Sequence, residues 1–215
     1  MAAADSRVTI HMATSLDGFI ARTDGRTDWM ETSDTYPSGD SMDPEFVRDF
    51  LQSIDCYVMG SRTYETALAF DAKGQGWAYG DKPVFVLTTR ALPKTRDTVE
   101  LISGDLSSLL NDRLRPAFRS IWLVGGSVVA GDAIRRGLAD EVRYSILPVV
   151  IGEGIRFFEG LDRDVALRHV GVVLGAAPAT RLEGRGGGQQ RQAVELRALQ
   201  GPPRVHQLRD RKSVV

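Results

Sequence analysis

The sequence predicts an α/β domain in which helices flank a mixed, mostly parallel central sheet and an antiparallel hairpin closes that sheet. Short β-rich runs alternate with helical patterns along the chain, which is typical of a parallel sheet. The runs YVMG, VFVL and IWLV are apolar throughout, as in strands buried on both faces. Hydrophobic residues make up 42% and charged residues 26% of the 215 residues, which is a globular composition.

The predicted elements follow one another in regular alternation. Strands are predicted at 8–15, 55–60, 83–89, 120–126 and 141–150. Helices are predicted at 43–54, 61–69, 105–115 and 127–137. Two later runs, 166–174 and 192–199, are predicted to pair as the closing hairpin. We therefore expect one domain over residues 1–200, with a Gly- and Arg-rich loop at about 175–191 and a disordered tail at 201–215.

The composition excludes several classes of protein. A formal net charge of -1 offers no overall attraction for nucleic acid or an anionic membrane, so neither partner is expected. Cys56 is the only cysteine, which excludes a disulfide framework and a thiolate zinc cluster. The three histidines lack the spacing of metal ligands, and no metal is expected. The N-terminus has no signal-peptide pattern and no run approaches the roughly 18 apolar residues of a membrane helix, so we expect a cytoplasmic protein.

The stretch SLDGFIAR, residues 15–22, interrupts an alternating strand with an Asp-Gly pair before the apolar residues resume. Asp17 and Gly18 are a strong signal for a tight turn. The alternative is that Gly18 leaves the backbone bare, so that a flat ligand can approach it. The residues alone favour the turn.

Two predicted strands end in glycines that precede a helix. In LVGGSVV, Gly125 and Gly126 let a phosphate approach the N-terminus of the helix, or simply form a tight turn. In MGSRT, Ser61 is expected to cap the next helix. Arg62 and Thr63 beside that helix N-terminus suit a phosphate neighbour, and a solvated Arg62 is the alternative.

A third predicted strand ends in hydroxyl groups and a cation. Thr88, Thr89 and Arg90 follow the apolar run VFVL at its carboxyl end, where open α/β sheets bind ligands. Arginine is also suited to bidentate contact with a phosphate. Three junctions of this kind predict a single extended, multiply charged ligand.

The segments MATSLDGFIA, DWM, YVMGSRTYE, VLTTR, LVGG and LPVVIGEGIRFFEG, in this order and spacing, resemble one family. It is the dihydrofolate reductase-like superfamily, and within it the reductase domain of the bifunctional riboflavin-biosynthesis deaminase-reductase and its stand-alone relatives. The similarity covers Val8 to Leu174. It implies the dihydrofolate reductase-like fold for this reductase domain.

The resemblance implies that the chain binds NADPH. It also implies that the SLDG stretch is a strand-to-loop transition at the active site. The residues that it assigns to the cofactor are Ala13, Phe19, Ile20 and Ala21 beside the nicotinamide, Gly60, Ser61, Arg62 and Thr63 at the phosphates, Thr88, Thr89 and Arg90 near the adenosine and its 2′-phosphate, and Gly125, Gly126, Ser127 and Val128 at the pyrophosphate.

The resemblance also implies where the substrate binds. Asp17 is the first candidate for a polar contact with the substrate and for a catalytic role, and Ser15 is a further candidate for substrate binding. Trp29 either borders the substrate pocket or is an ordinary core aromatic. In dihydrofolate reductase, an acidic residue lies in the helix after the segment that corresponds to DWM here. In this chain that helix is expected to begin near Asp43, which makes Asp43 and Glu45 candidate proton relays. A capping role explains Asp43 without catalysis.

The function implied is that of an NADPH-dependent reductase, which transfers hydride to a small heterocyclic substrate, pyrimidine- or pterin-like. The alternative is a nucleotide-binding or sensing module of the same fold without turnover. A homodimer is expected from the resemblance alone. The sequence lacks H-x-E with PCxxC, which excludes the zinc-dependent deamination of the bifunctional enzyme.

Overall fold

The computed structural model describes residues 6–30, 44–147, 149–174 and 192–198, which form one large and one small β-sheet with helices. The strands are β1 (Arg7–Ser15), β2 (Phe19–Ala21), β3 (Cys56–Gly60), β4 (Val84–Leu87), β5 (Val99–Ile102), β6 (Ser120–Gly125), β7 (Glu141–Leu147), β8 (Ile155–Arg156), β9 (Leu167–Leu174) and β10 (Gln192–Ala198). The α-helices are α1 (Pro44–Ser53), α2 (Ser61–Phe70), α3 (Leu106–Ser108), α4 (Arg115–Ala117) and α5 (Ser127–Arg135). A 3₁₀ turn covers Asp28–Met30, and π-helical stretches cover Asp71–Gln75 and Leu109–Leu114.

The large sheet has eight strands in the order β5-β4-β3-β6-β1-β7-β10-β9. All neighbours from β5 to β7 pair in parallel. Strand β10 pairs antiparallel with both β7 and β9. The mostly parallel sheet and its closing antiparallel hairpin are therefore confirmed.

The parallel strands are apolar throughout because both faces of the sheet are covered. In β6, Ile121 and Leu123 enter one hydrophobic core, which also contains residues of α3 and α5. The residues between and beyond them, Trp122 and Val124, pack against a second core that contains Tyr64 of α2. Successive side chains of a strand point to opposite faces, so a strand between two cores has no polar face.

Several boundaries differ from the prediction. Strand β7 ends at Leu147, three residues earlier than expected, and β4 ends at Leu87, so that the two threonines that follow lie beyond the strand. The single helix expected at 105–115 is a series of short segments, α3, the π-helical stretch and α4. Strands β5 and β8 were not predicted, since four and two residues are too few to show a period.

Helix α1 is fixed at its carboxyl end by a lysine from a distant loop. The Lys82 ammonium donates hydrogen bonds to the carbonyl oxygens of Leu51 at 2.7 Å and Gln52 at 3.0 Å, and also to that of Ile54. The last carbonyls of a helix have no partner within the helix, and a cation there also complements the helix dipole. These bonds hold α1 against the sheet.

Three expectations fall on residues outside those described. They are the Gly- and Arg-rich loop at 175–191, the tail at 201–215 and Asp43. Within the ranges that are described, no helix is long and apolar enough to cross a membrane.

Candidate functional site

The carboxyl ends of β4, β3, β6, β1 and β7 lie in a row at one edge of the sheet, because these neighbours run parallel. Gly60 at the end of β3 is level with Leu87 at the end of β4. Gly125 at the end of β6 pairs with Met59 of β3. The three junctions singled out in the sequence are thus brought together.

At the β6–α5 junction, position 125 has room only for glycine. Gly125 has φ +136°, and a Cβ built on it would lie 2.7 Å from the Sδ atom of Met12. The peptide bond between Gly125 and Gly126 is cis. Gly126 is the N-cap of α5, and no side chain caps this helix. The first N–H groups of α5 therefore keep their capacity for an external acceptor.

The β3–α2 junction differs from the prediction in one respect. Ser61 was expected to cap α2, but Gly60 is the N-cap and Ser61 is the first helical residue. Because glycine has no side chain, α2 also begins without a side-chain cap. Arg62, one residue further on, is exposed and forms no ion pair with the residues the structure describes.

The two helices begin side by side. A Cβ on Gly60 would be 3.2 Å from the Cγ2 atom of Val129 in α5, and one on Gly126 would be 3.6 Å from the Oγ1 atom of Thr63 in α2. Each helix N-terminus carries a partial positive charge and unpaired N–H groups. Two such ends next to each other suit an anion with more than one charged group, such as a pyrophosphate.

The turn after β4 is tied to α2 by an ion pair. Arg90 donates to both carboxylate oxygens of Glu65, at 2.9 and 2.6 Å, and these hydrogen bonds lower the pKa of Glu65. The Arg90 N–H donates to the Thr88 hydroxyl at 3.0 Å, and the Thr88 N–H donates to the Ile102 carbonyl at 2.8 Å. Thr88 is half-buried, whereas Thr89 and Arg90 are exposed. The contact of Arg90 with a phosphate stays a prediction.

The SLDG stretch forms a tight turn that does not lead into a β1–β2 hairpin. The Gly18 N–H donates to the Ser15 carbonyl at 3.0 Å, and Gly18 has φ +87°. Strand β2 pairs instead with β8 in the small sheet. The tight turn is therefore confirmed, and it follows the carboxyl end of β1. The approach of a flat ligand to Gly18 stays a prediction.

Asp17 is engaged with the loop after β7. Its carboxylate accepts hydrogen bonds from the N–H groups of Gly152 at 2.8 Å and Ile151 at 3.3 Å. Burial acts to raise its pKa, but hydrogen bonds from the Ser15 side chain and these two N–H groups outweigh burial and lower the pKa. The contacts that the structure gives Asp17 are those of a residue that positions a loop. Its contact with a substrate stays a prediction.

The residues expected beside the nicotinamide lie on both sides of this turn, in β1 and β2. The Phe19 N–H donates to the Ser15 hydroxyl oxygen at 3.0 Å, and Phe19 and Ala21 are buried. Ile20 packs against the core that contains Met12. Ala13 is half-buried in β1, two residues before Ser15 and on the same strand face.

The candidate substrate and proton-relay residues Trp29 and Glu45 differ in their exposure to solvent. Trp29 is buried, at 6% exposure, and its indole N–H has no partner among the described residues. Glu45 is in the first turn of α1 with its side chain 74% exposed, 3.5 Å from Arg48. The role of Glu45 as a proton relay stays a prediction.

His11, one of the three histidines without metal-ligand spacing, makes specific contacts in β1. Its Nε2 atom is 2.7 Å from the Ser145 hydroxyl, and its ring stacks on Trp122 with centroids 5.3 Å apart. Burial, followed by the nearby Arg143 cation, lowers the pKa of His11 to about 4, although Glu141 opposes this shift. The imidazole is therefore neutral at neutral pH.

A second contact that the sequence does not indicate involves Ser127 in the first turn of α5. Its hydroxyl donates to Glu159 at 2.9 Å. The two residues are 32 positions apart, and no local pattern joins them.

Comparison with known proteins places this geometry in a family. Residues 6–177 match the RibD C-terminal domain. Two uncharacterized proteins of Bacillus subtilis (strain 168) are similar to the chain. YwjB is 28% identical over 168 residues, 78% of this chain and 91% of YwjB. YyaP is 27% identical over 172 residues, 76% of this chain and 86% of YyaP.

Solved structures share the fold. A structure from Shewanella sp. PV-4, described as that of a riboflavin biosynthesis protein, superimposes with a TM-score of 0.67 at 24% identity and covers 92% of this chain and 99% of its own. Dihydrofolate reductase from Enterococcus faecalis, complexed with NADP(H) and RAB-propyl, gives a TM-score of 0.55 at 17% identity and covers 89% and 96%. The dihydrofolate reductase-like fold is confirmed, and the chain belongs to the RibD C-terminal domain family.

Proposed function

We propose that this protein is an NADPH-dependent reductase that transfers hydride to a small heterocyclic substrate, pyrimidine- or pterin-like. The observation that carries the proposal is the pair of helices α2 and α5, which begin side by side with glycine N-caps at the carboxyl edge of the sheet. Membership of the RibD C-terminal domain family and the fold shared with a dihydrofolate reductase that binds NADP(H) support it.

The residues present fit a dinucleotide. Gly126, the N-cap of α5, is half-buried and carries no side chain that would compete with a ligand for the N–H groups of the helix. The uncapped N–H groups of both helices would bind the pyrophosphate. Arg62 would add a cation from α2, and Arg90 would offer a second one near the 2′-phosphate, sharing its charge with Glu65.

When bound, NADPH supplies the hydride, and the chain supplies binding and orientation. The small side chain of Ala13 and the turn into β2 would set the position of the nicotinamide. Asp17 would hold the loop at Ile151 and Gly152 against that turn. With its lowered pKa, Asp17 is ionised at neutral pH and acts as a hydrogen-bond acceptor, not as a proton donor.

The experiment that tests the proposal is a turnover screen. The purified protein is mixed with NADPH and a panel of oxidised pyrimidines and pterins, and the loss of nicotinamide absorbance is followed. Substrate-dependent NADPH oxidation is the expected result. If NADPH binds but no heterocycle accelerates its oxidation, the chain is a nucleotide-binding module without turnover, and the reductase proposal is wrong.

A further inference from the structure

The segment 157–163, which follows β8, runs along α5 as a strap. At its start, the Phe157 N–H donates to the Gly18 carbonyl at 3.0 Å, in the turn after β1. Further along, Arg135 at the end of α5 donates to the Gly160 carbonyl at 2.7 Å. The strap therefore joins the turn after β1 to the full length of α5.

Glu159 in the strap lies against the first half of α5. A Cβ on Gly131 would be 2.1 Å from the Glu159 carbonyl oxygen, so glycine at this position lets the strap backbone touch the helix. The Glu159 carboxylate accepts the hydroxyl hydrogen bond of Ser127 at 2.9 Å. An ionised carboxylate only accepts hydrogen bonds, so the Ser127 hydroxyl hydrogen points at Glu159.

The contact with Ser127 places the Glu159 carboxylate at the N-terminus of α5. Ser127 is the first residue of α5, and the N-terminus of a helix stabilises an anion. Gly126, the N-cap, contributes no side chain. In the part of the chain that the structure describes, Glu159 is the carboxylate bonded to the side chain of this first residue. A phosphate bound at the same helix end would be repelled by it.

We propose that Glu159 is a built-in competitor of the cofactor at α5, which keeps the affinity for NADPH below the value that the glycine junction alone would give. The inference rests on the proposed function, because the anion concerned is the pyrophosphate of NADPH. Two of its effects oppose binding: the charge repels the pyrophosphate, and the Ser127 hydroxyl hydrogen is already donated to Glu159.

The test is a titration of three proteins with NADPH, following nicotinamide fluorescence. Glu159→Gln removes the charge but keeps an oxygen that can accept from Ser127, whereas Glu159→Ala removes both. We expect both variants to bind NADPH about three- to tenfold more tightly than the wild type, with a gain that shrinks as salt is added. Asp162→Asn removes the same charge further along the strap and is the matched control, with unchanged affinity.

The outcomes separate the inference from the proposed function. Tighter binding by both Glu159 variants, with Asp162→Asn unchanged, supports the inference. Wild-type affinity in Glu159→Gln overturns it, and weaker binding in Glu159→Ala alone would mean that Glu159 only holds the strap in place. Failure of the wild type and all variants to bind NADPH overturns the proposed function itself. Thermal unfolding of each variant confirms that it is folded.

Discussion

Gly125 lies directly against Met12, so that a Cβ on Gly125 would be 2.7 Å from the Met12 sulfur. Substitution Gly125→Ala must therefore displace the β1 side chain and also strain a backbone with φ +136°. We expect it to lower the free energy of unfolding by about 2–4 kcal/mol. Chemical denaturation measures this loss, and NADPH binding should be lost with it.

Gly137→Ala is the matched control for that substitution. Gly137 also has a positive φ, +64°, but nothing lies within 4 Å of a Cβ built there. Its cost should be that of backbone strain alone, about 1 kcal/mol, with NADPH affinity unchanged. If the two substitutions lower the free energy of unfolding equally, the contact with Met12 is unimportant.

Arg62 is expected to contribute to cofactor binding through its charge. Arg62→Ala should weaken NADPH binding by about five- to tenfold, and the difference should shrink at high salt. Arg119 is the control, because it is an exposed arginine that precedes β6 and so lies at the opposite edge of the sheet. If Arg119→Ala weakens binding as much as Arg62→Ala, the effect is one of net charge and the cofactor map is wrong.

Asp17 stabilises the fold in its ionised form. Its pKa is lowered by hydrogen bonds in the folded state, so its contribution is present above its ordinary pKa and is lost as the pH falls through the lowered value. We expect Asp17→Asn to reduce the free energy of unfolding by about 1 kcal/mol at neutral pH, and the difference to vanish in strong acid. Denaturation across a pH series measures it. The exposed Glu153→Gln, on the same loop, is the control and should leave the free energy of unfolding at neutral pH unchanged.

His11 gives the protein a second pH dependence, at higher pH. Its pKa is lowered from 6.5 to about 4 in the folded state, so the unfolded chain binds a proton more readily, and stability is lost as the pH falls from 6.5 to about 4. The loss amounts to at most about 3 kcal/mol. His11→Gln should remove this part of the stability profile, whereas substitution of the exposed His169 should leave it in place. An unchanged profile in His11→Gln would contradict the burial of a neutral imidazole.

The fold was predictable where the sequence carries a period or a continuous apolar run. Strands β3, β4 and β6 are apolar because both of their faces are covered, and that pattern is local. Strand β8 has only two residues, and its pairing with β2 depends on a turn that places two distant segments together. Such pairings leave no local signal.

The site was predictable in outline only. The glycine junctions at 60 and 125–126 stand out in the sequence, and the parallel topology brings them together. The prediction that Ser61 caps α2 was wrong, because the sequence does not distinguish a helix that begins at Ser61 from one that begins a residue later. The contacts of Asp17 with Gly152 and of Ser127 with Glu159 join residues 135 and 32 positions apart, so only the folded structure reveals them.

The proposed dinucleotide site, formed by the junctions at α2 and α5, is expected to prefer NADPH. Titration of the purified protein with NADPH and with NADH, following nicotinamide fluorescence, tests it most directly. We expect saturable binding of NADPH, weaker binding of NADH, and a smaller difference between the two nucleotides in Arg90→Ala, because Arg90 is expected near the 2′-phosphate. If neither nucleotide binds saturably, the two junctions are not a dinucleotide site and the fold serves another function.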